Sequence, residues 1–250
     1  MTCLLTLAMR LDLYLSESSL VESRTDAKNF ILAGAVSVNG KVVKKPAFEV
    51  AGSEEILVDK SGKRYVSRGG LKLEAALDAF SIDPSGAMAI DVGASSGGFT
   101  DCLLKRGASR VIAVDSGSGQ LVDSIRQDDR VVVYENFNAR YMTAEDFAYT
   151  PDLAVMDVSF ISAKLIIPAV SAVLKSDGQF ICLIKPQFEV GRSGLNKKGI
   201  VKNESLRKRA VDEVIESASL CGFELLGVIE SPIIGGDGNI EFLAHFRKTN

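Results

Sequence analysis

The chain has 250 residues, 46% apolar and 24% charged, with 29 Lys+Arg against 32 Asp+Glu. That length holds one large or two smaller domains with a true core. The composition is that of a soluble globular protein, and no run of about 18 apolar residues marks a membrane span. Residues 10–72 carry 11 of the basic and 8 of the acidic residues, for +3, and the remainder carries 18 and 24, for −6. A basic head before an acidic body suits a polyanion, and equally an unevenly charged solvated surface. Cys3, Cys102, Cys182 and Cys221 form no C-x-x-C pair, and His245 is the only histidine. This argues against zinc or any other metal site and for reduced thiols in a cytoplasmic protein.

Residues 1–8 are apolar but lack the basic start and cleavage site of a signal peptide. They read as a disordered extension, with Met9 as an alternative start. Leu11, Leu13, Leu15 and Leu20 then mark a short helical region. Arg24–Ala33 reads as a second helix, ended by Gly34 in the left-handed conformation. Val36–Val43 alternates apolar residues around Asn39-Gly40, a hairpin signal, and Glu55–Val58 reads as a further strand. The polar stretch 59–66 puts a linker at 61–67, between a small α+β domain at 9–60 and a larger domain at 68–250.

In the larger domain strand and helix patterns alternate. Strands are expected near 88–92, 110–114, 130–134, 153–157, 179–184, 224–230 and 240–247, and helices near 71–80, 98–106, 118–126, 161–175 and 203–221. The rhythm predicts an α/β fold with a doubly wound, Rossmann-like sheet of seven strands. The last two strands have no helix between them and should pair antiparallel at one edge.

The stretch 89–100 carries the first chemical signal. Asp91 closes an apolar run, Gly93, Ala94, Ser95, Gly97 and Gly98 form a turn, and Phe99 lies in a helix start. Such a turn lies at the C-terminal end of a parallel strand, where open α/β sheets bind cofactors. Gly93, Gly97 and Gly98 lack a Cβ, so a ligand can approach the main chain. The helix N-terminus behind them offers N–H groups to an anion or carboxylate. The dinucleotide spacing G-x-G-x-x-G fits poorly. Asp115 ends the second strand about 20 residues on, where an acid accepts hydrogen bonds from ribose hydroxyls; a plain turn residue is the alternative there. The seven-strand pattern and this spacing resemble the methyltransferases that use S-adenosyl-L-methionine. That resemblance implies this cofactor, an adenine-side contact from Asn136, and Asp157 facing the methyl donor.

No Asn/Asp-Pro-Pro-aromatic run follows the fourth strand, and no cysteine is placed as a pyrimidine nucleophile. Instead the chain shows Ser67-Arg68-Gly69-Gly70-Leu71-Lys72, Asp157-Val158-Ser159-Phe160-Ile161-Ser162, Lys185-Pro186-Gln187-Phe188-Glu189 and Gly238-Asn239-Ile240-Glu241-Phe242. Lys72, Asp157, Lys185 and Glu241 lie at ends of elements that should converge on one rim of the sheet. The set resembles the tetrad of FtsJ-type ribose 2′-O-methyltransferases. In the head, Arg10-Leu11-Asp12, Ser23-Arg24 and Gly34–Gly40 resemble the alpha-L (S-four-type) RNA-binding domain. Together these motifs resemble the TlyA (haemolysin-A-like) family, which joins the two domains.

The resemblance implies 2′-O-methylation of ribosomal RNA, at cytidine. A ribose hydroxyl must lose its proton as it attacks a methyl group, and an ammonium near the oxygen stabilises the developing charge. Two adjacent lysines lower each other's pKa, which two carboxylates oppose. Lys185 would act as base or oxyanion stabiliser, oriented by Lys72, Asp157 and Glu241. RNA would meet Arg10, Arg24, Lys28, Lys41, Lys44 and Arg68. It would also meet Arg192, Lys197 and Lys198 in a glycine-rich loop, Gly191–Gly199, read as mobile. Ser116–Gln120 departs from the family pattern, which bears on the shape near the adenosine. Two other classes stay open: an RNA-binding ribosome-assembly factor with a dormant transferase fold, and a membrane-lytic haemolysin.

Overall fold

The computed structural model describes residues 8–32, 34–58, 64–235 and 238–249. Residues 1–7 of the expected extension with Cys3, Ala33 of the second helix, and residues 59–63 around the linker lie outside them. The chain divides into two compact units, Met1–Arg64 and Tyr65–Asn250.

In the first unit α1 (Leu11–Glu17) and α2 (Arg24–Leu32) bury Leu11, Leu15, Ala27 and Ile31 against Val36, Val38 and Val50. Val36 and Val38 belong to β2 (Val36–Val38), the middle of a three-stranded antiparallel sheet with β3 (Lys41–Val42) and β5 (Ile56–Val58). Sequence pattern left out a second ladder, β1 (Met9–Arg10) with β4 (Glu49–Val50), because two-residue strands are too short to show a period. Asn39 and Gly40 both take positive φ, 48° and 74°, as a primed hairpin turn requires. The Asn39 side-chain oxygen accepts from Glu55 N at 2.9 Å, pinning the third strand beside the hairpin.

The second unit is a seven-stranded sheet with the order β11-β12-β10-β9-β6-β7-β8. Its strands are β6 (Met88–Val92), β7 (Arg110–Val114), β8 (Val131–Tyr134), β9 (Leu153–Met156), β10 (Gln179–Ile184), β11 (Phe223–Glu230) and β12 (Phe242–Lys248). β8, β7, β6, β9 and β10 run parallel, while β12 pairs antiparallel with both β10 and β11. Buried layers cover both faces. One gathers Leu73 and Leu77 of α3 (Gly69–Ala79), Phe99 and Leu103 of α4 (Gly98–Lys105) and Ile125 of α5 (Asp123–Arg126). The other gathers Val170 of α6 (Ile167–Val173), Val214 and Ala218 of α8 (Glu204–Leu220), and Phe180, Phe223 and Phe246.

Two expected helices are shorter than the pattern suggests. The helix expected over 118–126 is regular only at Asp123–Arg126. Gly117 and Gly119 favour the open turn that precedes it, since glycine is a poor helix former. The helix expected over 161–175 starts at Ile167, after a separate turn at Ala163–Leu165. Pro168 lacks an N–H and clashes with the carbonyl four residues back, so it suits the first turn of a helix only. One short helix was not anticipated, α7 (Pro186–Glu189), directly after β10.

Candidate active site

The strand order reverses at β6, which lies between β7 and β9, and a cleft opens at the carboxyl ends of these strands. A cavity of about 470 Å³ sits there, its wall including Gly93, Ser95, Asp115, Asn138, Asp157 and Phe160. Gly93 has φ 89°, and a Cβ on it would lie 2.4 Å from the Asp157 carbonyl oxygen. The ends of β6 and β9 can therefore approach only with glycine at this position.

Gly97 and Gly98 serve a different purpose from the ligand approach expected of them. A Cβ on Gly97 would meet Leu121 at 2.8 Å, and one on Gly98 would meet Ser67 Oγ at 2.1 Å and Gly70 N at 3.1 Å. They permit close packing of protein segments behind the turn. Ala94 and Phe99 are buried in the same core, away from the cavity wall. At the N-terminus of α4 one donor is taken up within the protein: Asp91 Oδ2 accepts from Thr100 N at 2.9 Å and from Thr100 Oγ1 at 2.7 Å. Asp91 is fully buried, and its other oxygen has no hydrogen-bond partner among the described residues. Burial, reinforced by the nearby Asp157 and Asp115 carboxylates, pushes its carboxyl up to about 7.

Asp115 joins the two sides of the cleft. Its carboxylate accepts from Ser95 N and from Gly117 N, each at 2.7 Å. It is thus both the turn residue and the pocket residue between which sequence reading left a choice. Asn136 is not on the cavity wall. Its φ of 53° turns the chain, and its N–H donates to Gly117 O at 2.9 Å. Phe137 and Asn138 face the cavity in its place.

The tetrad forms two ion pairs. Register makes this possible: Ile184 of β10 pairs with Phe242 of β12, so Lys185 and Glu241 lie just beyond that rung on facing strands. Met156 pairs with Cys182, which sets Asp157 beside the end of β10. Lys72, from the first turns of α3, reaches Glu241 at 2.5 Å, with both side chains at most 10% exposed. Lys185 Nζ lies 2.5 Å from Asp157 Oδ1 and donates to Ser159 Oγ at 2.7 Å. Gln187 Nε2 donates to Glu241 Oε1 at 3.5 Å. Asp157 and Ser159 also line the cavity, so the Lys185 pair borders it.

Several residues near this site escaped sequence reading although their motifs were noticed. Ser159 is one. Phe160 is another: it holds φ at 63°, is 93% exposed, and lies 5.4 Å from the Phe188 ring. An exposed aromatic in a left-handed conformation is unusual for a bulky residue, and no local pattern announces it. The basic loop is braced rather than loose at its C-terminal half. Asn196 Oδ1 accepts from Lys198 N and Ile200 N, while buried Asn239 accepts from Val201 N at 2.9 Å and donates to Gly199 O at 3.0 Å. Arg192, Lys197 and Lys198 stay exposed, as does Arg68 at the start of α3.

In the first unit Lys28, Lys41 and Lys44 are exposed. Arg10 and Arg24 are held by one buried acid, Asp12, at 2.9 and 3.2 Å. Cys102 and Cys182 are buried free thiols; burial pushes Cys102 up to about 12 and Cys182 also upward, away from thiolate chemistry. Among the described residues no group of three or more His, Cys, Asp or Glu is placed to hold a metal, and no helix is long and apolar enough to cross a membrane.

The FtsJ-like methyltransferase family matches residues 65–248, and the S4 domain family matches residues 9–56. The Bacillus subtilis protein YqxC, which carries an rRNA methyltransferase name, is 45% identical over 94% of this chain and 84% of its own length. The 16S/23S rRNA (cytidine-2′-O)-methyltransferase TlyA of Mycobacterium tuberculosis is 42% identical over 95% of this chain and 89% of its own. A solved Streptococcus thermophilus structure with a hemolysin name superposes with a TM-score of 0.78 at 44% identity, covering 97% of this chain and 89% of the other.

Proposed function

The chain belongs to the FtsJ-like methyltransferase family, in the TlyA branch with an S4 domain ahead of the catalytic one, and from that premise we propose that it methylates a ribose 2′-hydroxyl of ribosomal RNA, at cytidine. The family is S-adenosyl-L-methionine dependent, and the residues present fit that cofactor. The Asp115 carboxylate is held at the cavity wall by two backbone donors, which leaves lone pairs for a ribose diol. Phe137 and Asn138 offer an aromatic face and an amide for an adenine. The cavity volume is within the range of small-molecule sites. When bound, the cofactor supplies an electrophilic methyl group.

The observation that carries the reading is the pair of lysine–carboxylate contacts beside this cavity, Lys185 with Asp157 and Lys72 with Glu241. Lys185 donates to Ser159 and is ion-paired with Asp157. Its nitrogen keeps a tetrahedral position that neither contact occupies. In the ammonium form that position is an N–H, which stabilises a developing alkoxide; in the amine form it is a lone pair, which takes the hydroxyl proton. Asp157 and Ser159 aim that position, and Lys72, Glu241 and Gln187 close the far side. Exposed Phe160 offers a face on which the target base can stack.

RNA recognition falls to exposed cations: Arg10, Arg24, Lys28, Lys41 and Lys44 in the first unit, and Arg68, Arg192, Lys197 and Lys198 in the second. A ribosomal RNA substrate and the free thiols of Cys102 and Cys182 support a cytoplasmic location. The test is transfer of a labelled methyl group to small subunits, large subunits and naked ribosomal RNA, followed by mapping of the modified ribose. Label on a cytidine 2′-oxygen supports the reading. RNA binding with no label in any of the three would favour an assembly factor with a dormant fold.

A further inference from the structure

We infer that Glu189 is a positioning residue for Lys185, tying the loop after β9 to α7 and so fixing the two walls between which the reacting hydroxyl must lie. The inference rests on the proposed role of Lys185. Glu189 closes the Lys-Pro-Gln-Phe-Glu motif and Ser162 closes Asp-Val-Ser-Phe-Ile-Ser, yet neither has a part in the chemistry above. In the fold they meet. Glu189 Oε2 accepts from Ser162 Oγ at 2.5 Å, and Oε1 accepts from Ala163 N at 2.8 Å. The Glu189 side chain is 2% exposed, with Lys164 Nζ at 3.9 Å.

Between Asp157 and Ser162 run Ser159, which receives the Lys185 hydrogen bond, and Phe160 with its positive φ. A bulky residue in that conformation persists only when its surroundings hold it there. Two groups of contacts hold this loop against the segment after β10. At the top are the Lys185 contacts and the Phe160–Phe188 ring pair. At the base is Glu189. Among the described residues, the polar links between these two segments are those of Lys185 and those of Glu189. Without the base anchor, any displacement of the loop would act directly on Lys185, whose direction decides the reaction. A carboxylate with both oxygens engaged fixes the spacing without drawing on the catalytic nitrogen.

The alternative is that Glu189 only caps the turn at Ala163–Leu165 and stabilises the fold. Kinetics separate the two. The full-length protein would be compared as wild type, Glu189→Ala, Glu189→Gln, Ser162→Ala and the Glu189→Ala/Ser162→Ala double variant, reading single-turnover methyl transfer to RNA well below each melting temperature. Glu189→Ala should slow the chemical step by about tenfold to a hundredfold, the scale of a misplaced reacting group. Glu189→Gln should recover most of the rate, since its amide can accept from Ala163 N and donate to Ser162 Oγ. Ser162→Ala should lose less, and the double variant should be no slower than Glu189→Ala, because both remove one link. An unchanged rate in Glu189→Ala, multiplicative losses in the double variant, or a Gln variant as slow as the Ala variant would each overturn the inference. Should Glu189→Ala fail to fold, Ser162→Ala and Glu189→Gln carry the same comparison: a Ser162→Ala rate equal to wild type would overturn it. An inert wild type would overturn the enzymatic reading itself, and this inference with it.

Discussion

Asp12 in the first unit and Glu241 in the second are both buried carboxylates that hold cations, and they hold them to opposite ends. Asp12 is fully buried, but its partners Arg10 and Arg24 have side chains 44% and 48% exposed. Their guanidinium groups hold the Asp12 carboxyl below its ordinary value, the Arg10 hydrogen bond most of all. The acid here orients positive charge toward solvent. Glu241 instead draws Lys72 inward, to 10% exposure, and Lys185 is similarly covered beside Asp157 at 11%. Exposed cations attract phosphates over a distance set by salt screening. Cations withdrawn from water act over a few ångströms on one atom, and salt reaches them little. One arrangement suits gathering a polyanion; the other suits moving one proton.

The contrast can be broken most sharply at Lys185. Lys185→Ala should lower methyl transfer by about 10²–10⁴-fold, the range for a lost acid–base group, with cofactor affinity by calorimetry near that of the wild type. The deficit should be the same at low and high salt. Retained turnover would remove Lys185 from the chemistry, and a deficit that depended on salt would move it to the binding side of the comparison.

Next in size is the cofactor wall. Asp115→Ala should weaken S-adenosyl-L-methionine binding by about tenfold to a hundredfold, the scale of hydrogen bonds to a charged acceptor. Asn138→Ala should weaken it less, and Asn136→Gly, which keeps the positive φ, should leave it unaltered. Equal effects at 136 and 138 would contradict the wall described above.

A smaller effect belongs to the head. Lys41→Ala with Lys44→Ala should weaken RNA binding across all sequences and lower the slope of log affinity against log salt by about 2, one for each lost phosphate contact. A filter-binding titration over salt reads the slope. If it stays put, these two lysines are solvated charges and the head gathers RNA elsewhere.

The smallest expected change is in stability. The Asp91 carboxyl is raised from 3.8 to about 7 in the fold, so between those values the folded state binds a proton that the unfolded state has lost. Stability from this group is therefore present at acidic pH and falls as pH rises through about 7. Asp91→Asn keeps an acceptor for Thr100 and removes the titration. Its melting temperature should vary less than the wild type's between about pH 4 and pH 7. Parallel pH profiles would assign the effect to another group.

The alternation of short apolar runs with helical patterns found the seven strands to within a residue or two, because the central strands are buried and read as near-continuous apolar segments. Helices were located less well where a residue acts through the backbone. Pro168 delayed α6, and Gly117 with Gly119 held the segment before α5 open. In the site, the tetrad was readable because charged residues at the ends of apolar runs are conspicuous, and because four motifs pointed to one family. Asn136, expected on the adenine side, lies off the cavity wall that Phe137 and Asn138 line; its positive φ turns the chain there, and no neighbouring residue signals it.

Local chemistry therefore suffices for the order of elements, the hairpin at Asn39-Gly40, the two-domain division and the kinds of group at the site, since periodicity and turn preference act over a few residues. It does not say which glycine lines the cavity and which faces Ser67, or that four charged residues resolve into Lys72 with Glu241 and Lys185 with Asp157. Nor does it show that Glu189 meets Ser162, 27 positions away. Those are settled by strand register and by the close packing of segments distant in the chain, where a shift of one residue would turn each side chain to the other face.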